Sequence, residues 1–168
     1  MTENTIDPSP QDRRETVHEI IERASIAMLT TQTASGALHA RPLAIVTRDS
    51  EPGALYFFTG HPSDKTSELE AFPLVNVSIA EPKGYLSLSG SAAVAHDRAL
   101  IDELWNLGAA AWFENGKDDP SVALIRVELA AAEYWDTDRP AVVKAVEFVR
   151  GLVSDHEPDT GDHGSVKL

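Results

Sequence analysis

Three groups of residues in this chain could do chemistry, and the most informative is the segment 56–69, YFFTGHPSDKTSEL. An apolar strand that ends in Thr59 is followed by a turn with glycine and proline, and then by a helix that Ser63 or Asp64 can cap. Backbone N–H groups at such a helix start, together with hydroxyl groups and Lys65, can cradle a phosphate. A plain helix cap beside a solvated lysine explains the same residues, and the negative charge of Asp64 favours that alternative.

The second group is the segment 39–43, HARPL, in which a long cation projects from an otherwise apolar strand. Strand alternation places His39, Arg41 and Leu43 on one face. An arginine on the buried side of a sheet needs an anionic partner. That partner could be a bound ligand or one of the 27 acidic side chains of the chain, and the sequence leaves both interpretations open.

The third group is aromatic and lies in the second half of the chain. Flat rings could stack on a planar cofactor. Such residues more often pack in a core or against another subunit, so both interpretations stay open. The group consists of Trp105, Trp112, Phe113, Tyr134 and Trp135.

Composition excludes several other kinds of site. The chain has 168 residues and no cysteine, which excludes disulfides, thiolate metal sites and cysteine nucleophiles. Its six histidines lack metal-ligand spacing, so we predict no metal site. The motifs of serine hydrolases, P-loop proteins and Rossmann dinucleotide binders are absent.

Charge and hydropathy bound the partners and the location. The net charge of −13 disfavours binding to nucleic acids and to membrane surfaces. No apolar run approaches the roughly 18 residues of a membrane span. The first residues are polar and do not resemble a signal peptide, so we expect a cytoplasmic protein.

Short strands and helices must position these groups. The pattern predicts a flexible arm over 1–8, a helix from Ser9 and Pro10, strands joined by short turns up to Thr59, and further strands around inserted helices. Pro42 predicts an edge strand or a bulge, and Gly90 a bulge or close approach. A last helix follows Pro140, and the acidic tail 154–168 is expected to be disordered. Six or so strands with such short turns indicate a mainly β, α+β domain: an antiparallel barrel with peripheral helices.

Three segments together resemble a known family. They are HARPLAIV, YFFTGHPSDKTSEL and LWNLGAAAWFENGKDDPSVALIRVELAAAEYWD, in this order. They resemble the general stress protein branch of the pyridoxamine 5′-phosphate oxidase-like flavoproteins, over most of the chain. The resemblance implies an FMN-binding split β-barrel over 9–153 that forms a homodimer with FMN at the subunit interface.

The same resemblance implies which residues contact FMN. It implies that the phosphate is bound by Arg41 on the second strand and by Thr59, Ser63 and Lys65. Asp64 stands where related oxidases carry a second basic residue, so phosphate binding would rest on Arg41 and Lys65. The full set implied is Arg41, Pro42, Leu43, Phe58, Thr59, Ser63, Lys65, Trp112 and Trp135, the two tryptophans lying near the flavin or the partner's wall.

The resemblance also limits the activity. True pyridoxamine phosphate oxidases close their substrate pocket with a basic C-terminal segment that has no counterpart after Trp135, so oxidation of vitamin B6 is not expected. The implied function is an FMN-dependent oxidoreductase with a nicotinamide as candidate electron donor, and no catalytic residue is predicted. Two alternatives stay open: a flavin-holding stress protein that acts as reservoir or sensor, and a haem or deazaflavin binder of the same fold. Haem would need an axial ligand such as His39, His61 or His96.

Overall fold

The computed structural model describes residues 9–82, 84–136 and 163–168. These residues form four helices and seven strands in the following order: α1 (Pro10–Arg23), β1 (Ile26–Gln32), β2 (Leu38–Ala44), β3 (Ala54–Gly60), α2 (Asp64–Ala71), β4 (Leu74–Glu81), β5 (Gly84–Ala95), α3 (Arg98–Leu104), α4 (Leu107–Trp112), β6 (Val122–Asp136) and β7 (His163–Lys167). No helix among them is long and apolar enough to cross a membrane.

Helix α1 begins where its capping residues predict. The N–H of Asp12 donates to Ser9 Oγ at 3.2 Å, and the N–H of Ser9 donates to the Asp12 carboxylate at 2.9 Å. Pro10 occupies the first helical position, where its missing N–H has no consequence. The apolar stripe of the helix is buried against the sheet through Val17, Ile20 and Ile21.

All strands pair antiparallel in one sheet with the order β2-β1-β4-β5-β6-β3, and β7 adds to β6. The sheet closes through a bridge between Val46, just after β2, and Tyr56 on β3. Each of these residues donates its N–H to the carbonyl of the other at 2.9 Å. The α+β split barrel expected from the sequence is therefore confirmed.

Two apolar clusters hold the barrel together. The larger fills its interior, where fully buried side chains from five strands meet: Leu29, Phe57, Val77, Leu88 and Ile125. Burial of each such side chain contributes about 1.5–3 kcal/mol. The smaller cluster joins the other face of β3 and β6 to α3 through Tyr56, Ile101, Leu104 and Leu124. Strand β3 therefore carries large side chains on both faces.

Both irregular strand positions behave as predicted. Pro42 lies in β2, which the structure pairs along its length with β1 alone, so the missing N–H breaks no second ladder. At Gly90 the register between β5 and β6 shifts by one residue. A Cβ at Gly90 would lie 2.2 Å from the carbonyl oxygen of Glu128, so the bulge depends on glycine.

The prediction of a disordered tail is wrong for residues 163–168. Residues His163–Lys167 form β7, which pairs with Ala131–Trp135 of β6. The free edge exists because β3 pairs only with Val122–Glu128, and the second half of β6 extends past it. The helix expected after Pro140, residues 154–162 and the arm 1–8 lie outside the described residues.

Side-chain contacts explain why so polar a strand is ordered. Val166 packs against the barrel core. Gly164 lies so close to the ring of Tyr134 that a Cβ would come within 2.7 Å of it. Two arginines of α1 donate to β7 carbonyls: Arg13 to Ser165 at 3.4 Å and Arg14 to Lys167 at 3.0 Å. Helix α1 thus ties the strand to the barrel.

Candidate functional site

The turn between β3 and α2 builds the candidate site. Strand β3 ends at Gly60, and a cis peptide bond joins His61 to Pro62. The N–H of Ser63, the residue before α2, donates to Thr66 Oγ1 at 2.9 Å, and the Thr66 hydroxyl donates back to the Ser63 carbonyl at 2.8 Å. Because Thr66 is fully buried, these two hydrogen bonds hold the turn to the protein interior. The first N–H groups of α2 have no partner inside the helix and can serve a ligand.

Lys65 is the clearest sign of an anion site. Its ammonium lies 3.5 Å from Ser63 Oγ, and among the described residues no carboxylate oxygen lies within 4.0 Å of it. Partial burial lowers the pKa of Lys65, and the positive charge of Arg41 lowers it further, while Asp64 acts in the opposite direction. Two cations close enough to repel each other would both be stabilised by an anion between them.

Arg41 is held by protein groups on one side of its guanidinium. Nη2 donates to Glu68 Oε2 at 3.1 Å, and Nη1 donates to Thr31 Oγ1 at 2.5 Å and to the Leu29 carbonyl at 3.5 Å. The internal salt bridge that the sequence left open therefore exists. It does not use every donor, because a guanidinium has five N–H groups.

Sequence reasoning missed Glu68 and Thr31. Glu68 bridges Arg41, Thr31 and His39, whose Nδ1 lies 3.1 Å from Glu68 Oε1. No local signal marks this acid, because its partners come from β1 and β2 and meet it only after folding. His61 lies in the turn itself; its buried Nδ1 has no partner in the described part of the chain, and its ring packs 4.6 Å from that of His96. The Gly-His-Pro sequence marked the turn, and sequence reasoning named this histidine only as a candidate haem ligand.

The other expected FMN contacts divide into two groups. Thr59 is buried at the end of β3, and Leu43 shares the inward face of β2 with Arg41 and packs against the core. Pro42 points to the opposite face of β2. Phe58 points away from the barrel interior and packs edge-on against Trp105, at 5.3 Å between ring centroids. The structure thus brings Arg41, Ser63 and Lys65 together and directs Pro42 and Phe58 elsewhere.

The two predicted tryptophans are exposed. Trp112, at the end of α4, exposes 82% of its surface, and Trp135 exposes 38%. Trp135 lies thirteen residues along β6 from Val122, which pairs with Gly60 at the end of β3. At about 3.3 Å per residue, Trp135 is far from the turn of its own chain.

Trp135 belongs to an apolar outer face of the sheet. Ile26 and Met28 from β1, Tyr85 from β5 and Trp135 line one groove, and all four are exposed. The smaller side chains of Ser78 and Ser87, also in this groove, separate them. We call this set the outer apolar face.

A charged network links the β2–β3 connection to α3 and β6. Arg48 donates to Glu103 at 2.7 and 2.8 Å and to Glu51 at 2.5 Å. Glu51 also accepts from Tyr56 and Arg126, and these hydrogen bonds lower the pKa of Glu51 to about 2.

In the described residues, no group of three or more His, Asp or Glu side chains could hold a metal ion.

The sequence and the fold are similar to those of known proteins. Residues 12–159 match the family model described as "Pyridoxamine 5'-phosphate oxidase like". The chain belongs to the pyridoxamine 5′-phosphate oxidase-like family. The protein bli-3 of Neurospora crassa is 28% identical to this family member over 137 residues, which are 76% of this chain and 66% of that protein.

Solved structures agree with this membership. A candidate general stress protein 26 from Jannaschia sp. CCS1 has a TM-score of 0.73 and 26% identity, and the match covers 94% of this chain and 99% of that one. The general stress FMN/FAD binding protein of Xanthomonas citri has a TM-score of 0.69 and 28% identity, with 77% and 92% covered. This member of the pyridoxamine 5′-phosphate oxidase-like family is therefore similar to its general stress proteins.

Proposed function

We propose that this protein binds FMN, with the flavin phosphate held by Arg41, Ser63, Lys65 and the start of α2. One observation carries the proposal: the partly buried ammonium of Lys65 lies beside Ser63 Oγ with no carboxylate within 4.0 Å in the described residues. Such a cation is stabilised when an anion binds it. The Xanthomonas citri protein, named for FMN/FAD binding, supports the ligand class.

A terminal phosphate suits this turn better than an internal phosphodiester. It carries up to two negative charges and presents three oxygens, which can accept from the ammonium, the guanidinium and the helix start at once. Asp64 and Glu68 offset part of the positive charge, so short hydrogen bonds must supply much of the affinity. FMN ends in such a phosphate, and we propose it as the cofactor on this ground and on the family resemblance.

We also propose that two copies associate through the outer apolar face. Four exposed large apolar side chains around one groove are typical of a surface that binds a partner. A second copy also gives the exposed tryptophans a role, because Trp135 is far from the turn of its own chain. In the dimer we propose, Trp112 or Trp135 contributes to the wall of the partner's flavin site.

Bound FMN would supply the electron-transfer chemistry. The residues described here bind and orient it: Lys65 and Arg41 hold the phosphate, and the fixed turn around Thr66 sets the position of Ser63. We propose a flavin-dependent oxidoreductase of the general stress type, with a nicotinamide as electron donor. No proton transfer is assigned to a side chain.

The absorption spectrum of the purified protein, with mass spectrometry of what denaturation releases, tests the cofactor. We expect a yellow protein, or uptake of FMN in titration, at close to one FMN per chain. Colourless protein that takes up no FMN would overturn the proposal. A haem spectrum would show that the cofactor is haem and not FMN. Reduction of the bound flavin by NADH or NADPH supports the oxidoreductase; bound FMN that neither donor reduces supports the flavin-holding alternative.

A further inference from the structure

Glu68 stands at the centre of a partly buried hydrogen-bond network that ties α2 to β1 and β2. Its side chain is only 12% exposed. Oε2 accepts from Arg41 Nη2 at 3.1 Å and from the Thr31 hydroxyl at 2.5 Å, while Oε1 lies 3.1 Å from His39 Nδ1. Three elements therefore meet at one carboxylate, three residues along α2 from Lys65.

This network holds the end of the Arg41 guanidinium that carries Nη1 and Nη2. Thr31 accepts from Nη1 and donates to the same Glu68 oxygen that accepts from Nη2. Both acceptors therefore lie side by side at the end of the guanidinium fork. The side of the fork, formed by Nε–H and the adjacent N–H of Nη2, has no partner in the described part of the chain. Two parallel N–H groups of this kind match two oxygens of a phosphate.

Charge alone would make Glu68 unfavourable at a phosphate site. The charged groups around the turn are Arg41, Lys65, Asp64 and Glu68, so the two cations face two carboxylates. The hydrogen bond from Thr31 lowers the pKa of Glu68, ahead of those from His39 and Arg41, although burial acts in the opposite direction. The carboxylate is therefore ionised at neutral pH and would repel a phosphate unless its effect on Arg41 outweighs the repulsion.

We infer that Glu68 is a positioning residue for the phosphate: it holds the end of the Arg41 guanidinium against Thr31, so that the side of the fork faces the ligand. This inference rests on the proposed FMN site and adds a residue to it. Without Glu68, the long arginine side chain would gain rotamer freedom, and binding of the phosphate would have to restrict it again.

Four variants test this role by titration with FMN and with riboflavin, which lacks the phosphate. Glu68→Ala removes the anchor, and Glu68→Asp keeps the charge but shortens the side chain. Glu68→Gln keeps an acceptor for Arg41 but removes the charge. Glu70→Ala is the matched control, since Glu70 is an exposed acid on the same helix. Thermal unfolding of each variant reports its stability separately.

We expect Glu68→Ala and Glu68→Asp to weaken FMN binding at least about tenfold, with less than about a twofold change for riboflavin. Glu68→Gln should stay within about threefold of the wild type for FMN, and Glu70→Ala should match the wild type. If Glu68→Ala does not fold, Glu68→Asp decides the question with charge and helix retained.

Other results overturn the role. Tighter FMN binding by both Glu68→Ala and Glu68→Gln would show that the carboxylate only competes with the phosphate. Equal loss for FMN and riboflavin would show a general effect on the fold. Wild-type protein that binds no FMN would overturn the proposed function itself, whereas wild-type binding that Glu68→Ala and Glu68→Asp leave unchanged would overturn the positioning role alone.

Discussion

The hydroxyl of Tyr56, a fully buried residue of β3, donates a hydrogen bond to Glu51 Oε2 at 2.7 Å. This bond joins the strand that closes the barrel to the connection preceding it. Arg126 of β6 donates to the same carboxylate oxygen at 3.1 Å, and Arg48 donates to the other oxygen. The closure between Val46 and Tyr56 is therefore supported by one ionised acid.

Replacement of that acid should change how stability depends on pH. The pKa of Glu51 is about 2 in the folded protein and about 4.5 in an unfolded chain, so the unfolded state binds the proton more tightly. The stability that Glu51 provides is complete above pH 4.5 and is lost as the pH falls toward 2. Urea unfolding between pH 6 and 2.5 should show a weaker acid dependence for Glu51→Gln than for the wild type. A wild-type slope in Glu51→Gln would contradict this, and Glu70→Gln serves as control.

The two cations of the turn should each be needed for the phosphate. Lys65→Ala and Arg41→Ala should weaken FMN binding by about 1.5–3 kcal/mol, the usual contribution of a hydrogen bond to a charged group. Riboflavin binding should change little. Fluorescence titration measures both ligands, with Arg23→Ala, which removes an exposed arginine of α1, as the control. Unchanged FMN affinity in both variants would remove the phosphate site from this turn.

Asp64 should weaken the same site. Its negative charge lies next to Lys65 at the start of α2, where a phosphate would bind. Asp64→Asn removes that charge and keeps a side chain of similar size, so FMN should bind a few-fold more tightly. The gain should shrink as salt is added, because the side chain is exposed and salt screens it. Weaker binding by Asp64→Asn would show that the carboxylate has a structural role in the turn.

Gly90 should be intolerant of even a methyl group. A Cβ there would lie 2.2 Å from the backbone oxygen of Glu128, so β5 and β6 would have to separate at the bulge. Gly90→Ala should therefore destabilise the protein by about 1–3 kcal/mol in urea unfolding. Gly53→Ala is the matched control, since a Cβ at Gly53 meets no atom within 4 Å. Equal stability of both variants would show that the strands adapt without strain.

Association through the outer apolar face should be sensitive to charge. Tyr85 exposes 52% of its surface in the single chain and lies opposite Trp135. Tyr85→Glu would bring a carboxylate into the interface we propose and should shift sedimentation from dimer to monomer at micromolar concentration. Wild-type protein that sediments as a monomer would contradict the shared site, and a dimer that Tyr85→Glu does not affect would place the interface elsewhere.

Local sequence patterns predicted the features that depend only on residues close together in the chain. Alternation placed Arg41 and Leu43 on the inward face of β2, and the Gly-His-Pro turn before Ser63 marked the junction of β3 and α2. The anchoring of Arg41 by Glu68 was not visible, because a carboxylate on α2 meets β1 and β2 only in the folded barrel. Strand β7 was missed for a related reason: its residues are polar, and its pairing depends on the free edge that β6 leaves beyond β3.

The pairing of β3 with β6 also sets an order for folding during synthesis. Paired residues of these two strands are separated by between 62 and 74 positions in the chain. At about 5–20 residues per second, β3 leaves the ribosome several seconds before its partner exists. For that time the edge of β3 that pairs with β6 stays open, since such long-range pairing cannot form early. Chains that stop before Val122 should therefore aggregate, and chaperones that shield nascent apolar segments should contact Ala54–Gly60 first.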